Sequence, residues 1–394
     1  MSNANEAYRA AGVDLELGND VSKMLGMAAK QTWDDRQGRI GEIVEYGSGF
    51  SSFRGMPLDI IGAKGYILSA GVDGVGTKIE VAERVDDHRT IGHDLVAMSC
   101  DDAVVRGGEP FAVANIVDVR TLKDIPDLPE KITQLAIGFV AAARAADVVI
   151  INGETAELND RIHGYGPFNY NWSSMAQWLV RAERIIDNSL VRPGDTLVAL
   201  REHGFRSNGL SLVRKIFGVF DYEEKGWQDQ LVDPEETGFA QPQKLGELVL
   251  KPSIIYSKVV VDMTGGSNPS RDPKARIHGA AHITGGGIPE KLGRVLADTG
   301  YGAYIEEPFD PPFAMKHAQL VHNTVFGWLS DEAAYRTWNM GQGMVVISPE
   351  PSAVLAVAAS HGIEAKEIGE VTEQSGIRIR SRGQEQGRLL EFAA

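Results

Sequence analysis

The stretch Ser69-Ala-Gly-Val-Asp73-Gly74-Val-Gly76-Thr77-Lys78 follows a short apolar run, Tyr66-Ile67-Leu68, that reads as a strand end. Glycine lacks a Cβ, so the backbone here can approach a ligand closely. The loop also holds a carboxylate, a hydroxyl and an ammonium. A metal-bound polyphosphate needs that set: amides and lysine for phosphates, a carboxylate for Mg²⁺. The spacing is not Gly-x-x-x-x-Gly-Lys-Ser/Thr, so this is no Walker A loop. A glycine turn with solvated polar groups fits the same letters, and the loop alone does not decide between the two.

Working outward, Gly65–Ala70 and Phe111–Val119 read as strands, with a helix from about Thr90 to Arg106 between them. Gly107-Gly108 and Pro110 close that helix. A helix over about 129–146 leads into Asp147-Val-Val-Ile-Ile-Asn152, whose β-branched run predicts a buried strand. Residues 19–33 read as a helix and 38–56 as a loop region. A second half from about Arg184 repeats the order of strand, glycine loop and helix. It has a strand at Thr196–Leu200, Ser207-Asn208-Gly209 before a helix at Leu210–Phe217, and His282-Ile-Thr284-Gly285-Gly286-Gly287 before a helix to about Leu296. Residues 222–243 read as a polar surface excursion, and 263–273 as a turn-forming linker.

At 394 residues the chain exceeds what one core usually serves, so two domains are expected. Hydrophobic residues at 43% and charged residues at 24% are ordinary globular values. A net charge of −15 argues against nucleic acid held on a broad basic face. An anionic substrate would need a local pocket of cations, amides or metal. Cys100 is the one cysteine, which excludes an internal disulfide and a cysteine-held zinc, and fits a reducing cytoplasm. The opening residues do not read as a signal peptide, and no apolar run is long enough to span a bilayer.

In the 90–106 helix, Ile91, Leu95, Met98 and Val105 share a stripe, and Asp102 falls in its gap. A carboxylate on an inward face is costly unless it meets cations or donors. Asp102, with Asp94, would help Asp73 hold Mg²⁺; equally, Asp102 would bond backbone amides. Asp94 and Asp101 lie on the neighbouring stripe. Glu154 follows the run at 147–152 across Gly153, where sites form at the ends of central strands; a helix-start acid is the alternative. The 282–287 and 207–209 loops each offer amides before a helix, which suits an anion or a plain helix cap. His282 fits a catalyst or a hydrogen-bonded structural histidine.

Together these segments resemble the AIR synthetase family. The resemblance starts at Tyr8-Arg-Ala-Ala-Gly12-Val13-Asp14 and runs through Asp73-Gly-Val-Gly-Thr-Lys78, Ile91-Gly-His-Asp94-Leu-Val-Ala-Met98, Asp102 before Val104-Val105-Arg-Gly-Gly-Glu109-Pro110, and Gly153-Glu154-Thr155-Ala156-Glu157. It continues through Ser207-Asn208-Gly209-Leu-Ser-Leu-Val-Arg214-Lys215, Lys251-Pro-Ser-Ile-Ile-Tyr256, Ala281-His282-Ile-Thr-Gly-Gly-Gly287 and Arg336-Thr-Trp-Asn-Met-Gly341. It spans nearly the whole chain in order, which is more specific than any single motif.

The resemblance implies an α/β fold of α+β type in two domains, 1–183 and 184–394. The first would bind ATP and metal and contribute strands to an intersubunit β-barrel in a homodimer; the second would be the α/β domain. It implies a cytoplasmic ligase of purine biosynthesis that uses ATP and Mg²⁺ to close the ring of formylglycinamidine ribonucleotide, a small phosphoribosyl substrate. Asp73, Asp102, Asp94 and Glu154 would hold metal. Gly74, Gly76, Thr77, Lys78, Ser207, Asn208, Gly209, Gly285, Gly286 and Gly287, with Asp73 and Glu154, would bind the nucleotide. His282, Lys78 and Thr284 would act at the reacting centre. Neither nucleic acid nor membrane is implied.

Several stretches depart from the family pattern. Phe205-Arg206 stands where Pro-His is common, which makes Arg206 a phosphate clamp or a surface residue. Leu158-Asn159-Asp160 replaces Met-Pro-Gly. The aromatic segment Gly164–Trp178 is unlike the usual short strand, and residues 160–178 are a candidate lid. The early glycine loop is reduced to Gly47-Ser-Gly49-Phe50, and the family's early lysine is Lys23 or Lys30. Rival functions are another ATP-using enzyme of the superfamily or a nucleotide-binding paralogue without turnover. Selenophosphate synthetase needs an early reactive cysteine that this chain lacks.

Overall fold

The computed structural model describes residues 37, 42–47, 53–221, 226–234 and 238–393. The helix expected at 19–33, with Lys23 and Lys30, the opening motif at 8–14 and most of the reduced glycine loop lie outside these residues.

Strands β1 (Val44–Tyr46), β2 (Phe53–Pro57), β3 (Tyr66–Gly74), β4 (Glu109–Val119), β5 (Val149–Glu157) and β6 (Tyr170–Arg181) form one sheet in the order β1-β2-β3-β6-β4-β5. All neighbours are antiparallel except β4 and β5. That parallel pair needs a crossover, supplied by the Ala-rich helix Leu128–Ala146, with proline in its first turn. The central helix Ile91–Val104 packs on β3 and β6 and against the Leu128–Ala146 helix. The two helices meet at glycines: a Cβ on Gly92 would lie 2.6 Å from the Gly138 carbonyl carbon.

The second sheet contains β7 (Thr196–Arg201), β10 (Gly279–His282), β11 (Gly302–Ile305), β12 (Gln342–Ser348), β13 (Ala365–Thr372), β14 (Gly376–Arg380) and β15 (Leu389–Phe392), in the order β10-β12-β7-β13-β11-β14-β15. The short ribbon of β8 (Leu231–Val232) and β9 (Gln243–Lys244) stands apart. Every residue of β12 is buried, as its continuous apolar run Met344–Ile347 requires. The helix Leu210–Phe217 keeps the predicted bounds. Among the described residues no helix is long and apolar enough to cross a membrane.

Four expectations change. First, β3 runs past Ala70 through Gly74, so Asp73 sits in the strand. Gly71 is needed there because a Cβ would lie 2.7 Å from the Trp178 ring, not because a ligand approaches. Second, the run at 147–152 is not a buried strand. It lies in β5, an edge strand with Val149 and Ile151 about 60% exposed. Third, the aromatic segment is no lid. Its residues from Tyr170 form the interior strand β6, where Tyr170, Trp172 and Trp178 alternate inward. Fourth, the 222–243 excursion contributes a fully buried Trp227, whose ring packs tilted against Phe217 with centroids 5.5 Å apart.

Candidate active site

The Ile91–Val104 helix carries three aspartates, and the second sheet's loops meet each one differently. Asp94 and Asp101 are fully buried, whereas the Asp102 side chain is 54% exposed. This reverses the sequence expectation. The helix is covered on the flank that carries Asp94 and Asp101, and Asp102 opens onto a cleft.

Asp94 accepts from Lys78 Nζ at 2.7 Å, Ser253 Oγ at 2.5 Å and the Ser253 amide at 3.2 Å. Lys78, also fully buried, donates in addition to the Lys251 carbonyl at 2.5 Å. Burying either charge alone would be costly, so each requires the other. Asp94 as a metal ligand and Lys78 as a phosphate contact or catalyst are both corrected by this geometry: each serves as the other's counter-ion.

Asp101 accepts from Arg206 Nη2 and from the Tyr256 amide, both at 2.9 Å. Burial raises its carboxyl despite the opposing Arg206 charge. Arg206 also donates to Glu202 at 2.9 Å and to the Ile254 carbonyl at 2.8 Å. It is neither a surface residue nor a free phosphate clamp, because its guanidinium is fully buried among carboxylates. Its φ of +56° is a left-handed backbone, which costs a residue with a Cβ roughly 1–2 kcal/mol. These contacts hold it there.

Arg206 also reaches the cleft through His282. Arg206 Nη2 lies 2.7 Å from His282 Nε2, and His282 Nδ1 lies 2.6 Å from Asp102 Oδ1. A guanidinium can only donate. The network therefore assigns Nε2 as acceptor and Nδ1–H as donor to Asp102. Burial works to raise the Asp102 carboxyl, but the hydrogen bond from His282, with the Lys291 and Arg206 charges, outweighs it and holds it low. Asp73, at the end of β3, is pushed up to about 6 by burial and by the nearby Asp102 carboxylate. The Gly74 amide, 2.7 Å from Asp73 Oδ1, and the charge of Lys291 oppose that rise.

The cleft holds about 370 Å³ and is lined by Asp102, His282 and four cations, Arg54, Arg106, Lys291 and Arg294. In a chain of net charge −15 this is a local cationic site. Thr284 stands on its wall.

Three glycine-bearing loops converge beside it. Thr77 Oγ1 lies 3.3 Å from Ser211 Oγ, tying the loop after β3 to the start of the Leu210–Phe217 helix. A Cβ on Gly285 would lie 3.3 Å from Asn208 Oδ1, which brings the 207–209 and 284–287 loops together. Gly286 and Gly287 are left-handed at φ 88° and 61° and open the Gly287–Leu296 helix, whose first amides suit an anion. Ser207 Oγ is buried without a hydrogen-bond partner.

Glu154 does not join this group within one chain. Asp73, Ser174, Asn115 and Gly153 pair in register across β3-β6-β4-β5. Three strand spacings, about 14 Å, therefore separate Glu154 from Asp73. Glu154 also shares its face with exposed Ile116, not with Ser174, which packs on the central helix. The expected shared metal role of Glu154 is corrected accordingly. Sequence reasoning gave no role to Lys291, Arg106 or Asp101. Lys291 and Arg294 stand at i,i+3 after a glycine loop, a spacing that places both on one helix face and was visible in the letters.

Residues 58–170 match the family described as AIR synthase related protein, N-terminal domain, and residues 192–382 match the corresponding C-terminal domain. A phosphoribosylformylglycinamidine cyclo-ligase of Synechocystis sp. is 34% identical over 379 residues, covering 94% of this chain and 98% of the relative. One from Streptococcus gordonii is 34% identical over 351 residues, covering 89% and 91%. Among solved structures, the hydrogenase maturation protein HypE of E. coli aligns with a TM-score of 0.54 at 19% identity, covering 85% of this chain and 88% of that one. The protein tt0281 of Thermus thermophilus aligns at 0.51 and 18% identity, covering 82% and 88%. These two speak for the fold. By the match to both family domains and by its curated relatives, the chain belongs to the AIR synthase-related family.

Proposed function

We propose that this chain is an ATP-dependent cyclo-ligase that closes the imidazole ring of formylglycinamidine ribonucleotide. The observation that carries the reading is the Asp102–His282 pair on a cation-lined cleft in an acidic protein, with Asp73 close enough to feel the Asp102 charge and with three glycine-bearing loops tied together beside Thr284 on the cleft wall. The relatives' printed name supplies the reaction.

The formyl oxygen bonds to the γ-phosphorus of ATP as the bridging P–O bond breaks and its electron pair leaves on ADP. The internal nitrogen then bonds to the activated carbon. Its proton goes to the departing phosphate, which takes the carbon–oxygen pair. The chain's own part is to hold the two ends together, which turns ring closure into a proximity-assisted step. Arg54, Arg106 and Arg294 suit the phosphoribosyl anion. Gly74, Gly76, Thr77, Ser207, Asn208, Gly209 and Gly285–Gly287 would surround the nucleotide. His282 and Thr284 face the reacting carbon, with the His282 Nδ1–H kept on Asp102.

Asp73 and Asp102 fit a divalent cation. Burial, and then the Asp102 charge, raise Asp73, and a cation between the two carboxylates would offset both. Among the described residues no three His, Cys, Asp or Glu form a preformed cage. This suits Mg²⁺, which commonly takes one or two carboxylates and completes its shell with phosphates and water. When bound, Mg²⁺ supplies neutralisation of the triphosphate charge.

The active form we propose is a cytoplasmic homodimer. Val72 (75% exposed), Ile116 and Phe111 leave an apolar sheet face beside the β5 edge, a surface that a monomer rarely keeps open. Glu154 lies on that face and would sit at the subunit interface. Sedimentation should give twice the chain mass.

The test of function is mass spectrometry of the product from protein, ATP, Mg²⁺ and formylglycinamidine ribonucleotide. Loss of the elements of water from the ribonucleotide is expected. An unchanged ribonucleotide with ATP consumed on another substrate would select another enzyme of the superfamily; nucleotide binding without any turnover would select the sensor.

A further inference from the structure

Two lysines answer to the description of a phosphate-binding lysine, and their surroundings differ. Lys78, the lysine of the glycine motif, is fully buried and locked between Asp94 and the Lys251 carbonyl. Lys291 sits in the Gly287–Leu296 helix and lines the cleft with Asp102, His282 and Thr284. Among the described residues its ammonium has no hydrogen-bonded or ion-paired partner; it feels Asp73 and Asp102 only through space.

The other cations of the cleft are engaged. Arg54 donates to Glu45 at 3.0 Å, Arg294 to Glu290, and Arg106 to the Ile186 carbonyl at 3.4 Å. Each arginine is thus held by a protein acceptor, whereas the Lys291 ammonium has none among the described residues, so all three of its N–H donors are available to a ligand. Its position also matters. It lies in the helix that follows the Gly285 loop, where Gly285 approaches Asn208, and it is felt by both carboxylates suited to metal.

We propose that Lys291, rather than Lys78, is the lysine that binds a phosphoryl group in this site, donating its Nζ–H bonds to phosphoryl oxygens at the His282–Thr284 end of the cleft. On the cyclo-ligase reading, on which this assignment of the ligand rests, that group is the phosphoryl passing from ATP to the formyl oxygen. Burial and the Arg294 charge lower the proton affinity of Lys291, against Glu290 and the two aspartates. An arriving phosphate dianion offsets that penalty.

The probe is inorganic phosphate, titrated by calorimetry into the full-length protein at fixed ionic strength. The parent should bind it saturably. Lys291→Gln should weaken binding about tenfold or more, the loss expected for a charge-assisted hydrogen bond, and leave the thermal midpoint unchanged. Lys291→Arg should recover most of the affinity. Lys78→Gln should lower the thermal midpoint instead. Lys291→Gln binding phosphate like the parent, or a parent that binds none, overturns the proposal. A parent that binds phosphate through Lys291 but yields no ring-closed product would sink the cyclo-ligase reading and leave this site standing.

Discussion

One side of the Ile91–Val104 helix is a frame and the other is a rim. On the frame, Lys78–Asp94 and Arg206–Asp101–Glu202 are sealed from water, each charge against an opposite one. On the rim, Asp102 is open, bonded to His282, and faces Lys291 and Asp73. All three aspartates come from one helix, within nine residues. What separates their roles is what the second half of the chain lays against them: Ser253 and Tyr256 on the frame, the His282 loop on the rim. A charge that is sealed holds the two halves together, and a charge that is open is available for chemistry.

The largest effect should come from breaking the frame. Asp94→Ala leaves Lys78 buried without its partner, and losing one side of such a pair costs about 3–5 kcal/mol. Urea unfolding reads this directly. A loss near that of an ordinary surface substitution would mean that the pair is not structural.

On the rim the loss should appear in turnover instead. His282→Ala should lower kcat by about a hundredfold, the scale of a well-placed acid–base or positioning group, with little change in affinity for a nonhydrolysable ATP analogue. Equal losses in both would mean that the 282–287 loop has collapsed and that frame and rim are not separable there.

A smaller effect sharpens the comparison with a buried acid that has no sealed cation. Glu83 accepts from the amides of Tyr165 at 2.7 Å and Tyr170 at 3.3 Å. Burial pushes its carboxyl up to about 7, against those amides, Asn169 and Arg84. The native state therefore keeps the Glu83 proton where the unfolded chain, titrating near 4.5, has lost it. The unfolded state then binds fewer protons, so stability from this group falls as pH rises from about 4.5 to about 7 and is level above. Glu83→Gln should remove that decline, so the parent-minus-variant thermal midpoint should drop across this window. A flat difference would show that Glu83 is charged in the fold.

Much of the fold was readable in the letters, and the pairing inside the frame was not. The Leu210–Phe217 helix follows its glycine and ends where the apolar spacing ends. The Asp102 stripe misled, because a helix buried on several sides has no single inward face. The alternation of Tyr170, Trp172 and Trp178 at even positions was a strand signal, obscured by its unusual aromatic content. Val149-Ile150-Ile151 has the composition of an interior strand, yet one chain leaves it at an edge. No sequence spacing could show that Arg206 meets Asp101, 105 positions away. That pairing exists only once the two sheets are side by side.

The most direct measurement is the rate of ADP release by the parent and by Asp102→Ala, with and without formylglycinamidine ribonucleotide. Release by the parent only when the ribonucleotide is present, lost in Asp102→Ala at an unchanged thermal midpoint, is the predicted result. Release that ignores the ribonucleotide, or near-normal turnover in Asp102→Ala, would contradict the assignment of the open aspartate to the reacting centre.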